Sequence, residues 1–376
     1  KMRKIRPLNN IPDSLNVKSD ENLDQQKSNE SLVLKLVNGK ANLVFPGYNA
    51  NKNKVLIREL SDGCCAYCGV KVSGEQTLTV EHFRPKNDLS FRTDECRIDG
   101  LKDDLDSRKG SFEKLQAPKN YGYFKWGDDY LNLLPSCKAC NTGEGKNGVY
   151  VAVGNEKGNL EDRIPYGKKT IFPIFYKGKK DPRIGMRYIN SIKGERPLLY
   201  NPYLDDPSDL VAYKKRALCS RTGENIVKVR PNPKSSKKNR LKAEVSINLL
   251  GLNRQNLCRK RAKRYEDMRR IAQELKSLEQ KESVLSYNCL SELVNNYLKL
   301  FKSDELGLYG YSRFIGQPLG KAIRNFIKRN LEDNSITYLT DSIDFSNVYS
   351  ELERYLEEFP YDWKERLRHV DEILDM

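Results

Sequence analysis

Two Cys-x-x-Cys pairs, Cys65/Cys68 and Cys137/Cys140, stand 69 positions apart in a chain of 376 residues. Two such knuckles supply four thiolates, a soft tetrahedral donor set that suits Zn²⁺. A simple zinc ribbon separates its pairs by about 15–20 residues. The wider spacing therefore predicts that a further folded element lies between the knuckles. Cys64 competes with Cys65 for the first position, and the two-residue spacing to Cys68 favours Cys65. The zinc is expected to be structural, closed by four ligands.

The remaining cysteines, including Cys96, Cys219, Cys258 and Cys289, bring the total to an odd nine. An odd count in a long chain argues against a secreted disulfide framework and for metal binding by the paired cysteines. A thiol redox protein using the two pairs is the competing reading. Mean hydropathy is −0.73, and no apolar run approaches the ~20 residues of a membrane span. Residues 1–12 lack the apolar core of a signal peptide. The expectation is a soluble cytoplasmic protein with no membrane partner.

Net charge is +16, and it is unevenly placed. Residues 211–270 hold 19 Lys and Arg against 4 Asp and Glu, whereas residues 341–376 hold 11 acidic against 4 basic. A concentrated basic stretch is expected of a phosphate-tracking surface. Its candidates are Lys214, Lys215, Arg216, Arg259, Lys260, Arg261, Lys263 and Arg264. Aromatics are sparse there, which favours backbone contact over base stacking. Docking on an acidic partner is the alternative for the 259–270 segment.

Along the chain, residues 1–60 read as an N-terminal arm, polar over 13–30, with an amphipathic lead-in helix at 51–60. Residues 61–150 carry the motifs and a long polar insert, 84–125. Residues 151–238 read as an irregular extension with a few short strands. Pro231, Pro233 and the Lys/Ser run to Lys238 predict a linker. Residues 239–376 predict a mainly helical module, with helices near 284–302, 312–331 and 346–375.

Between the knuckles lies TLTVEHFRPKN, which puts Glu81 and His82 at the end of an apolar strand. YLNLLPSCKACN places Asn132 before the second knuckle and Asn141 directly after it. The chain has 2 histidines, and the other, His369, lies in the acidic terminal stretch far from any motif. A lone strand-end histidine is ordinarily structural. One preceded by an acid and bracketed by thiolate pairs reads instead as a catalytic base, with imidazole's ordinary pKa near 6.5 suited to neutral pH.

CAYCG, VEHFRPK and YLNLLPSCKACN together resemble the HNH, or ββα-metal, endonuclease family. The likeness is nearest to the HNH subunits of bacterial Septu and retron defence systems. MRKIRPLNNIPDSL, ERPLLYNPYLDDPSDL and AEVSINLLGLNRQNLCRKR extend it over residues 2 to about 265. The resemblance implies an α+β fold: a ββα-metal HNH nuclease module stabilised by the zinc knot, then the helical C-terminal module. It implies His82 as general base, Glu81 and Asn141 as ligands of a catalytic Mg²⁺ or Mn²⁺, and Asn132 as the brace of the histidine loop. Arg84, Lys86, Lys138 and Lys146 near these motifs are further candidates for nucleic-acid contact. The implied activity is phosphodiester hydrolysis, with DNA the expected substrate and RNA, such as tRNA, the alternative. A defence setting adds an ATPase as the implied partner, with a retron reverse transcriptase and its RNA–DNA product as further candidates. A non-catalytic zinc-knuckle adaptor is the rival from another class.

Two features depart from the family pattern. The lysine after Asn141 is Lys146, two positions later than the usual spacing. Gly143 and Gly145 also disfavour the expected short helix, each by about 1 kcal/mol. Glu195, Asn201, Pro202 and Asp205 read most simply as turn residues, with lining of the nuclease groove as the alternative.

Overall fold

The structure, a computed structural model, describes residues 10–35, 41–61, 63–72, 78–89, 120–143, 166–176, 181–205, 210–213, 217–218, 225–279, 285–302, 319–327, 329 and 336–337. The described architecture is mixed α+β and mostly helical. By internal contacts the chain divides into one compact unit over residues 2–258 and a second over 259–376.

The first unit opens with α1 (Asp20–Lys35), α2 (Pro46–Asn49) and α3 (Asn51–Glu59). The polar arm expected over 13–30 is therefore largely helix. Its buried positions Asn22, Asn29 and Val33 recur at helical spacing on one face. Asn29 shows why a polar sequence packs there. Its amide Nδ2 donates to Val44 O at 2.8 Å and its Oδ1 accepts from Val44 N at 3.1 Å, replacing both strand bonds of an extended segment. The lead-in helix α3 forms where the amphipathic pattern places it, and buries Ile57.

β1 (Thr79–His82) and β2 (Leu133–Ser136) pair antiparallel, with Thr79 opposite Ser136 and His82 opposite Leu133. Every residue of β2 is buried, which explains its continuous apolar run. Val80 and Leu133 join Leu15 and Ile57 in one core cluster, so the hairpin packs on α3. A second cluster of Val33, Ala41, Phe45, Tyr121 and Phe124 lies beside α1. It includes the end of the expected 84–125 insert, whose residues 90–119 fall outside the described set.

One turn of helix, α4 (Lys138–Asn141), follows β2 directly. It starts between the second pair of cysteines rather than later in the glycine-rich stretch. Gly143 ends it: the backbone N–H groups of Thr142 and Gly143 both bond Lys138 O, and Gly143 has φ +84°. That left-handed conformation suits glycine, so Gly143 terminates the helix instead of weakening it.

Of the stretch expected as a linker, Pro231 ends a strand, residues 232–236 form a turn, and Lys237 and Lys238 begin a helix. β6 (Val229–Pro231) pairs with β3 (Val211–Tyr213), beside a smaller pair, β4 (Ala217–Leu218) and β5 (Asn225–Ile226). Ser236 then caps α5 (Lys237–Leu249), its hydroxyl accepting from Asn239 N at 3.2 Å. α5 is anchored to the irregular 166–205 region through Ser246, whose Oγ accepts from Tyr200 N at 2.8 Å. Proline tolerates a strand edge, where its missing N–H is not needed. Composition alone hid this pairing.

The unit boundary at Cys258 falls inside α6 (Gln255–Glu279). The second unit further contains a short parallel pair, β7 (Leu285–Ser286) with β8 (Ile336–Thr337), α7 (Tyr287–Lys302) and a helical stretch at 319–327. The helix expected near 346–375 lies outside the described residues.

At Gly47 in α2 a Cβ would meet Ser14 O at 1.9 Å, a contact with backbone that no side-chain rotation relieves. Gly47→Ala is expected to cost about 1–3 kcal/mol, measured by urea unfolding. A midpoint equal to wild type would show that the α2–Ser14 approach is looser than described.

Candidate active site

Four cysteines, Cys65, Cys68, Cys137 and Cys140, bring their sulfurs within 4.8 Å of one another. Tetrahedral zinc with Zn–S bonds of about 2.3 Å spaces its sulfurs by about 3.8 Å. The Cys68 and Cys137 sulfurs are 3.8 Å apart. The donor chemistry and the spacing both fit a structural Zn²⁺ site. Cys64 is buried but is not one of the four clustered thiols, and its backbone pairs with that of Lys71. The first knuckle docks on the hairpin through Ala66 N to Pro135 O at 2.8 Å. The second knuckle is the start of α4 itself.

Arg254, 7% exposed, completes this centre. Its guanidinium lies 3.2 Å from Cys68 Sγ and 3.6 Å from Cys140 Sγ. Four thiolates on one divalent ion carry a net negative charge, and a buried cation offsets it. Hydrogen bonds from Cys137, Cys140 and Cys65, together with the Arg254 charge, hold the Cys68 thiol well below its ordinary pKa.

Because side chains alternate along a strand, Thr79 and Glu81 leave one face of β1 and Val80 and His82 the other. On the first face, Asn141 Nδ2 donates to Thr79 Oγ1 at 3.2 Å, and the Asn141 side chain lies near enough to Glu81 to favour its charged form. The expected carboxylate and amide are thus adjacent, one on β1 and one on α4. Glu81 is also held by a residue that no motif indicated. Lys168 Nζ, on a fully buried side chain, donates to Glu81 Oε1 at 2.6 Å. Burial raises the Glu81 pKa, while Lys168 and Asn141 oppose that shift. Tyr67, fully buried, sits within electrostatic reach of Glu81, Cys65 and Cys140, and its hydroxyl has no hydrogen-bond partner among the described residues.

On the other face, His82 is 7% exposed. Its ring packs against Tyr48 at 4.4 Å, and Nε2 lies 2.9 Å from Gly127 O. A carbonyl only accepts, so Nε2 carries the proton and Nδ1 keeps its lone pair. Burial, with the Lys86 charge, pushes the imidazole pKa down to about 3, so the ring is neutral at pH 7. Gly127 precedes Asp128, whose Oδ1 accepts from Tyr48 N at 2.6 Å and whose carboxyl burial raises to about 6.

Asn132, 2% exposed, clamps the loop after β1. Its side chain accepts from Arg84 N at 2.6 Å and donates to Arg84 O at 3.0 Å and Trp126 O at 2.9 Å. Its own carbonyl accepts from Phe83 N at 2.7 Å. Hydrogen bonds from one buried side chain to several backbone groups fix a loop at little entropic cost, since Asn has two rotatable bonds.

The basic candidates separate. Arg84 is mostly buried and bound to Glu195 at 2.7 Å, so its charge is committed inside the protein. Lys86 is half-buried over the Tyr48 and Phe45 rings at 3.9 and 4.3 Å, with burial drawing its pKa to about 8. Lys138 is exposed on α4. On α6, Lys260 and Lys263 are exposed and Arg259 is partly so, whereas Arg261 and Arg264 are buried. A phosphate cannot reach a buried guanidinium, so the expected five-residue face contracts to three. Lys146, Lys214, Lys215 and Arg216 lie outside the described residues.

The chain is 25% identical over 268 residues to the Septu protein PtuB of Bacillus mycoides (strain KBAB4), a distant similarity covering 71% of this chain and 69% of that protein. No family model matches the chain, and no solved structure matches it. No helix among the described residues is long and apolar enough to cross a membrane.

Two outcomes test this geometry. Elemental analysis should return one zinc per chain, lost in Cys68→Ser and kept in Cys64→Ser; zinc retained by the former or lost by the latter overturns the ligand set. His82 has a folded pKa below its unfolded value of about 6.5, so protons bind the unfolded chain preferentially and stability falls as pH drops from 6.5 toward 3. Between pH 7 and 5 the wild type should lose about 2 kcal/mol more than His82→Gln in denaturant unfolding. Equal losses would mean that His82 is not buried neutral.

Proposed function

We propose that this chain is a metal-dependent HNH endonuclease that hydrolyses phosphodiester bonds in nucleic acid, with His82 as general base. The observation that carries the reading is the state of His82. Its Nε2–H is tied to Gly127 O at 2.9 Å, which leaves the lone pair on Nδ1, the atom that would take the proton from water. The base stands at the end of β1, next in sequence to a buried carboxylate that meets the amide of Asn141.

Glu81 and Asn141 would hold the divalent ion. A carboxylate and an amide oxygen are hard donors suited to Mg²⁺ or Mn²⁺, which keep several waters when bound. When bound, such an ion supplies positive charge to the phosphate and leaving oxygen. The protein's own contribution is position. Asn132 fixes the backbone that follows His82, and the four thiolates fix α4, and with it Asn141, against the hairpin. Displacement of a catalytic group by about 1 Å can cost a hundredfold in rate, which gives this bracing its value.

Of the cations nominated by the motifs and the basic stretch, Lys138, Lys86, Arg259, Lys260 and Lys263 are exposed or partly exposed. They favour backbone contact over base readout, in keeping with the scarcity of aromatics. DNA is the proposed substrate. The similarity to the Septu protein PtuB supports an antiviral-defence setting, with an ATPase as the proposed partner.

Supercoiled plasmid and tRNA, incubated with Mg²⁺ or Mn²⁺, test the reading. Wild type is expected to cleave the plasmid, and His82→Ala to be slower by about 10²- to 10⁴-fold. Equal cleavage by the two would remove His82 from the chemistry. Equal inactivity in the presence of the partner would leave a nucleic-acid-binding adaptor as the better account, and cleavage confined to tRNA would move the substrate to RNA.

A further inference from the structure

Lys168 lies 87 positions from Glu81 in sequence and outside every motif that marks the site. Its side chain is fully buried, and its ammonium makes a 2.6 Å bond to Glu81 Oε1 and a 3.3 Å bond to Lys169 O. Burying an ammonium is costly unless it is paired and hydrogen-bonded. A chain with 67 Lys and Arg has ample choice of exposed positions for a lysine. Burial of this one at the candidate carboxylate therefore calls for a role there.

Its backbone points the same way. Lys168 N donates to Cys140 O at 2.9 Å and Lys169 N to Asn141 O at 2.6 Å, so this segment takes up the free carbonyls at the end of α4. The preceding Gly167 has φ +104°, and a Cβ there would meet Gly143 N at 2.4 Å. Only glycine permits this approach. One short segment thus grips the carbonyl of Asn141 through its main chain and the carboxylate of Glu81 through the side chain of Lys168.

We propose that Lys168 is a positioning residue of the Glu81–Asn141 site: it holds one carboxylate oxygen of Glu81 while its segment fixes Asn141, setting the two metal ligands at a constant separation. The proposal rests on the reading of Glu81 and Asn141 as ligands of a hard divalent cation. A ligating carboxylate that is itself hydrogen-bonded binds its ion more tightly, and loss of such a partner typically costs 10- to 100-fold in affinity. Lys168 leaves Oε2 of Glu81 outside its grip, so brace and ion need not compete for one oxygen. The 166–171 segment thereby belongs to the site as much as the hairpin and α4 do.

Mn²⁺ binding to the zinc-loaded full chain, followed by the electron paramagnetic resonance signal of free Mn²⁺, tests this without reference to cleavage. Lys168→Met should weaken Mn²⁺ binding 10- to 100-fold, while zinc stays at one per chain. Lys168→Arg should restore affinity to within a few-fold of wild type. Should Lys168→Met fail to fold, Lys168→Gln, which keeps one donor group, is expected to show a smaller loss in the same direction. Glu81→Gln should abolish the binding, and adding Lys168→Met to it should change nothing further. Unchanged or tighter Mn²⁺ binding in Lys168→Met, with Glu81→Gln impaired, overturns the proposal and makes the ammonium a bystander or a competitor. Wild-type affinity in Glu81→Gln instead overturns the underlying reading of Glu81, and the proposal with it.

Discussion

The four-thiolate cluster is the constraint from which the rest of the first unit follows. It joins chain segments 69 residues apart. Closing a loop of that length costs on the order of 4 kcal/mol in chain entropy. A structural zinc site returns about 10–16 kcal/mol, so metal binding outweighs the closure. What the loop contains is then set by adjacency. β2 runs straight into the second knuckle, β1 pairs with β2, and the first knuckle docks on Pro135. Glu81, His82 and Asn132 are thereby tied to α4 through the cysteine cluster as well as through a two-stranded pairing that is marginally stable by itself.

Charge is handled in the same economical way. Each buried ion near the site has a partner. Glu81 has Lys168, the thiolates have Arg254, Arg84 has Glu195, and Arg183 has Asp181. A buried pair adds little net stability over an apolar pair, but removing one member leaves a buried charge stranded. Such pairs therefore specify one arrangement more than they strengthen it. In this unit they come from residues 168–195 and 254, later than the motifs they serve. The irregular region after α4 consequently acts as a second wall of the site, held by Tyr203 Oη on Leu133 O and by Gly167 N on Leu249 O.

The basic stretch shows how little a charge count says about a surface. Arg261 and Arg264 stand three residues apart on one side of α6 and are buried, while Lys260 and Lys263 are exposed. Helical period, not composition, decides which cations meet solvent. On α6 the lysines keep their strongly hydrated ammoniums outside, whereas the delocalised guanidinium of arginine is less costly to bury.

Some of this was legible in the sequence. The paired cysteines named their own cluster, because thiolates at two-residue spacing have few other uses in such a chain. That Glu81, His82, Asn132 and Asn141 lie around the strand pair and the second knuckle was legible too, because each is tied to one of them by a few residues of chain. α3 followed from its apolar period. The tertiary structure alone decided the remainder. It turned the polar arm into α1 by giving Asn29 a backbone to clamp, placed Pro231 at the end of a strand, and ended α4 at Gly143. It also brought Lys168 to Glu81 and Arg254 to the cysteine cluster across 87 and 186 positions. Sequence reports chemistry that is local along the chain. A buried charge chooses its partner by proximity in space, and that choice leaves no periodicity, spacing or composition to read.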